Sequence, residues 1–142
     1  MASTFDLQRF IAAQERDFPT ALREISQGRK RSHWMWYIFP QLRGLGRSGM
    51  SAYYGIDGIE EAAAYLDNPC LASNLQTICR ALLALDTNNP RSVFDPPDDK
   101  KLRSSMTLFA AAAKDPALYQ SVLDKFFGGQ SDARTLVMLK QR

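Results

Sequence analysis

A chain of 142 residues suits one domain, large enough to bury about two-thirds of its unfolded surface. Apolar residues make up 45% and charged residues 23%, a balance that excludes general disorder. The net charge of +3 is too small for a general polycation, and the apolar runs fall well short of the roughly 20 residues a membrane span requires.

The N-terminus, MASTFDLQRF, has neither the basic start nor the apolar centre of a signal peptide, so a soluble cytoplasmic protein is expected. Leu7, Phe10, Ile11 and Gln14 share one face of a first helix. Asp17 is placed to cap a second, with Pro19 in its first turn and Ala21, Leu22 and Ile25 inward, and Gly28 is its expected stop. Ser32 is placed to cap a short helix through HWMWYIF that Pro40 does not continue. Gly44, Gly46 and Gly49 mark an irregular loop before a helical turn at SAYYG. Asp57 and Glu60 resemble a capping box ahead of AAAYL, and Asn68-Pro69 opens a helix with a stripe at Leu71, Leu75, Ile78, Leu82 and Leu85. Within NNPRSVFDPPDD one helical turn is expected, and Asp95 is placed to cap the KKLRSSMTLFAAAA helix. Asp115-Pro116 opens another helix that Gly128-Gly129 ends, and Ser131 is placed to cap the last. No alternating run reads as a strand. The expectation is an all-α single domain over 1–142, with seven to nine short helices and not a regular four-helix bundle.

The stretch from Gly28 to Gly55 stands apart. It holds the only histidine, both tryptophans and five cations, with no acidic residue between Glu24 and Asp57. Those cations outnumber the net charge of the whole chain, so the remainder is slightly acidic. Guanidinium and ammonium groups at Arg29, Lys30, Arg31, Arg43 and Arg47 suit phosphate or carboxylate. Backbone amides of RGLGRSG can add uncharged donors, although neither a P-loop nor a dinucleotide fingerprint is present. The bland alternative is a solvated cationic surface. His33, if it lies in the first turn of a Ser32-capped helix beside the basic triplet, is expected to stay neutral. Such an imidazole can serve as general base, bind a ligand or hold a backbone carbonyl. Trp34, Trp36 and Tyr54 offer rings to a ligand, although a helix apolar all round is normally core.

A second polar cluster lies on the KLRSSMTLF helix. Lys101, Ser104 and Ser105 are spaced by three and four and read as a second anion arm. Bonding of the hydroxyls back to the preceding turn is the alternative. The carboxylates Asp57, Asp98, Asp99 and Asp124 are candidates for acid–base work, although most have a cap or surface role that suffices, and no cluster has metal-ligand spacing. Cys70 and Cys79, about 13 Å apart along one helix, are out of disulfide reach.

SHWMWYIFPQLRGLG closely resembles domain-of-unknown-function family 1810 of bacteria and fungi. Tyr65-Leu66, Pro69 and Leu71 resemble its YLxHPxL element, and Lys101 with Ser104 to Phe109 a second signature. Asn68 stands where the family pattern has histidine. The resemblance implies an all-helical fold, and a loose tie of the family to NAD and ADP-ribose metabolism ranks phosphorylated ligands above other anions. The calpastatin label that some members carry does not suit a compact chain.

The leading expectation is therefore a small anionic ligand, nucleotide-like or ADP-ribose-like, between the RKRSHWMW segment and the KLRSSMTLF helix. Lys30, Arg31, Arg43, Arg47, Lys101, Ser104 and Ser105 would grip it, the three rings would wall it, and His33 would act as base in any hydrolase or transferase chemistry. No cofactor or metal is implied. A nucleic-acid-binding module and a protein-interaction domain without a ligand are the alternatives.

Overall fold

The structure, a computed structural model, describes residues 5–142. The first four residues of MASTFDLQRF, and with them part of the expected 1–142 domain, lie outside the described residues. The two helices expected on either side of Asp17 are one, α1 (Gln8–Ser26), with Pro19 inside it. An interior proline removes a backbone hydrogen bond and costs about 3 kcal/mol. Phe10, Ala13 and Gln14 before it and Ala21, Glu24 and Ile25 after it are all buried, so packing on both sides keeps the helix running. Asp17 is not a cap; its carboxylate accepts from the Tyr37 hydroxyl and pairs with Arg16. Gly28, at φ +90°, follows the helix end as expected.

Two short helices come next, α2 (Met35–Ile38) and α3 (Gly49–Tyr54). Ser32 does not cap α2, which starts three residues later, because its hydroxyl is taken by Glu24. Helix α4 (Ile59–Asp67) lacks the expected Asp57–Glu60 box; Glu61, one residue on, accepts from the Asp57 amide at 2.7 Å instead. Asn68 caps α5 (Pro69–Leu83), its Oδ1 accepting from the amides of Cys70 and Leu71 at 3.0 and 3.1 Å. One helical turn, α6 (Pro90–Val93), sits where it was expected. Helix α7 (Asp98–Ala112) begins without a side-chain cap, since Asp95 pairs with Arg29. Helix α8 (Ala117–Phe127) ends at Gly128, φ +61°. The cap of α9 (Ala133–Lys140) is Asp132 and not Ser131: its Oδ2 accepts from the Thr135 amide and hydroxyl at 3.1 and 2.5 Å.

Helix α7 is the hub, with α4, α6, α8 and α9 packed on it, while α1 packs on α2 and α5. Leu102 and every residue from Ser104 to Phe109 are buried, so α7 is covered on nearly all sides. That placement gives its hydroxyls structural partners. Ser104 Oγ donates to the Lys100 carbonyl or to Asp132 Oδ2, each at 3.2 Å. Thr107 Oγ1 donates to the Arg103 carbonyl at 2.8 Å and accepts from the Asp132 amide at 2.8 Å, fixing the start of α9. Cys70 is exposed and Cys79 buried, neither in a disulfide, and burial pushes the Cys79 thiol up. Nine helices run through the described residues, with no strand among them, only a bridge between Leu42 and Ile56. The fold is all-α. None of the described helices is long and apolar enough to cross a membrane.

Candidate functional site

After α1 the chain turns sharply, and the basic triplet wraps around a carboxylate of the protein itself. Glu24 Oε1 accepts from the amides of Arg31 and Ser32 at 2.7 and 2.9 Å and from Trp34 Nε1 at 2.9 Å. Its Oε2 accepts from Ser32 Oγ at 2.5 Å. Burial pushes the Glu24 carboxyl up, but these four bonds outweigh it and hold the pKa at about 2. The turn that reads as an anion cradle is one, and Glu24 fills it.

Lys30 and Lys101 form the second anion contact. Lys30 Nζ lies 2.9 Å from Asp98 Oδ2, and Lys101 Nζ lies 3.3 Å from Asp98 Oδ1. Lys101 Nζ also sits 3.7 Å from the centre of the Trp36 ring, and Lys30 Nζ 5.1 Å from that of Trp34. Desolvated cation–π contacts of this kind add about 1–2 kcal/mol. Backbone pairing places Lys30, whose amide donates to the Val93 carbonyl at 2.9 Å, beside the start of α7. The two sequence signatures therefore meet, on a half-buried carboxylate at the end of the hub helix.

The other expected site residues are distributed more widely. Arg31, His33 and Arg47 have exposed side chains without partners among the described residues. His33 precedes α2 by two residues and is not in its first turn. Arg43 pairs with Asp57 at 2.9 Å and donates through Nε to the Ala52 carbonyl at 3.1 Å. With Arg29 on Asp95 and Lys30 on Asp98, three of the five cations of the stretch are thus paired within the chain. Ser104 faces Asp132, and Ser105 is fully buried with its hydroxyl unpartnered. Trp34 is core, and Tyr54 packs on Tyr37, Phe10 and Tyr53 with ring centres 4.8–6.0 Å apart.

The glycine loop closes over Trp36. Backbone bonds from Arg43 N to Ile56 O at 2.7 Å and from Ile56 N to Gln41 O at 2.8 Å pinch its base. A Cβ at Gly55 would lie 2.7 Å from the Arg43 Cα, so only glycine permits that approach. The void left among Trp36, Gly46, Ser51 and Tyr54 is about 10 Å³, room for roughly one water.

A family model described as protein of unknown function (DUF1810) matches residues 4–139. The chain belongs to this family. The DUF1810 chain is also similar to the crystal structure of a conserved hypothetical protein from Mycobacterium tuberculosis, at 43% identity and a TM-score of 0.95. The match covers 97% of this chain and 99% of that one. No curated protein matches the chain. Asn68, the departure from the expected family histidine, acts in this DUF1810 protein as the α5 cap.

Sequence reading missed two buried charged features, a lone carboxylate and an ion pair. Glu24 lies just outside the acid-free stretch, and that boundary was the available signal. The other is the Arg9–Glu61 pair, 3.0 Å apart and almost wholly buried. Arg9 further donates to the carbonyls of Tyr53 and Gly55 at 2.8 and 2.9 Å, tying α1 to the glycine loop. Nothing local marks a buried arginine on an amphipathic helix.

Proposed function

We infer that the protein binds a small phosphorylated or carboxylated ligand where Lys30 and Lys101 converge, with Asp98 holding the place of the ligand in the free protein. What carries this reading is the convergence of two ammonium groups, from segments far apart in sequence, on one carboxylate at 2.9 and 3.3 Å. An incoming phosphate has the same charge and acceptor geometry and can take over both ammonium groups, while the carboxylate swings into water. Arg31, exposed on the adjoining turn, adds a third cation.

The rings narrow the ligand. Trp34 and Tyr54 are committed to packing, and Lys101 covers a face of Trp36. Recognition therefore centres on the phosphate or sugar-phosphate end, and stacking on a base contributes little. His33, exposed on the same turn, is the group available as general base, so hydrolysis or group transfer is the reaction class that this reading carries. Pairing of three of the five cations supports a small ligand over a nucleic-acid track, which needs many free charges.

The test is titration calorimetry with inorganic phosphate, pyrophosphate and ADP-ribose on the native chain, Asp98→Asn and Lys101→Ala. Binding is expected in the native chain, tighter binding in D98N and loss in K101A. Absence of heat from both the native chain and D98N at about 10 mM ligand, with the fold verified, would sink the reading.

A further inference from the structure

Between α1 and α5 runs a groove of about 560 Å³ whose lining includes neither Lys30 nor Lys101. Its size falls within the roughly 300–1,000 Å³ typical of small-molecule sites. Ile11, Phe18 and Pro69 give it apolar walls. Three of its polar groups are held as acceptors, for reasons set by the backbone and by a fixed amide chain.

Pro19 has no N–H to return to the Glu15 carbonyl, so that oxygen lacks its helical partner at the groove wall. The Glu15 carboxylate beside it is exposed and unpaired among the described residues. The third acceptor follows from Gln14. Both hydrogens of its Nε2 are spent, one on the Tyr37 carbonyl and one on the Tyr65 hydroxyl, each at 2.8 Å. The amide orientation of Gln14 is therefore fixed with Oε1 outward, and it accepts from Asn74 Nδ2 at 2.9 Å. Asn74 must in turn present its own Oδ1. Among the described residues the lining holds one carboxylate and no cation.

We propose that this groove is a second binding site, for a small, largely apolar molecule bearing an ammonium or other N–H donor head. The apolar body lies along Ile11, Phe18 and Pro69, and the head bonds the Glu15 carbonyl, the Glu15 carboxylate and Asn74 Oδ1. Cys70, exposed at the lip, reports occupancy, because Cys79 is buried and silent.

The experiment follows the reaction of Cys70 with a neutral dipyridyl disulfide in the presence of phenethylamine or hydrocinnamate, which share a ring and chain length and differ in head group. Saturable slowing by the amine, about tenfold at ten times its Kd, with little slowing by the carboxylate, is the expected result. Equal protection by both, or protection by neither, overturns the proposal. Glu15→Gln and Pro19→Ala, the latter restoring an N–H to the Glu15 carbonyl without risk to the helix, are each expected to shrink the preference for the amine. A preference unchanged in both variants would overturn the assignment of the acceptors.

Discussion

Glu24 and Asp98 are carboxylates held by neighbouring residues of the same basic stretch, but their settings differ. Glu24 is buried in α1 and takes its four bonds from donors that are locked in place: two backbone amides, an indole and a hydroxyl on a turn. The Asp98 side chain is 19% exposed and takes its contacts from two ammonium groups at the ends of long side chains. Removing the first strands donors fixed in the backbone and the core, which costs much; removing the second leaves two mostly buried ammonium groups whose long stems can turn toward water, which costs less. One carboxylate is thus a structural part of the turn, while on the proposed reading the other occupies a place that an outside anion can take.

The largest effect expected from breaking this contrast is that of Glu24→Ala. Three N–H donors, one buried and two partly buried, lose their acceptor, and a loss of about 3 kcal/mol is expected from urea denaturation. Glu24→Gln, which keeps the shape, should lose less. Acid sharpens the same point. The folded pKa of Glu24 is lowered from 4.5 to about 2, so its stabilisation is complete above 4.5 and is lost as the pH falls through about 2. The stability gap between the native chain and E24Q, measured by urea midpoints, should close across that window and stay constant above it. Asp98→Asn, which removes the charge facing two mostly buried ammonium groups but keeps an acceptor oxygen, should cost about 1–2 kcal/mol in the same assay, while tightening phosphate binding. Smallest of all should be Lys101→Met, which keeps an aliphatic stem over Trp36 but gives up the cation–π contact: about 1 kcal/mol in stability, with a clear loss of anion affinity. An Asp98 variant as unstable as the Glu24 variant would erase the distinction.

Most helices were legible because their inward residues recur at helical spacing and because proline, glycine and Asn68 punctuate them. The caps were less legible. Ser32, Asp95 and Ser131 have the right chemistry for caps, but each lies within reach of a competitor, and the competitors Glu24, Arg29 and Asp132 won. Pro19 misled for a related reason: local propensity favours a break, whereas burial on both sides of it favours continuity. Of the candidate site, the meeting of Lys30 with Lys101 beside Trp36 was anticipated. The burial of Ser104 and Ser105 was not, because a hub helix is recognised as such only when its neighbours are known.

By itself the sequence determined the all-helical class, the family and the local excess of positive charge, since these depend on periodicity, on long motifs and on counting. Only the tertiary structure decided where each charge finds its partner. Glu24 lies just beyond the stretch it organises, and Asp98 more than sixty residues from Lys30. A charge is neutralised by what is near it in space, and distance along the chain says little about that once the helices have packed.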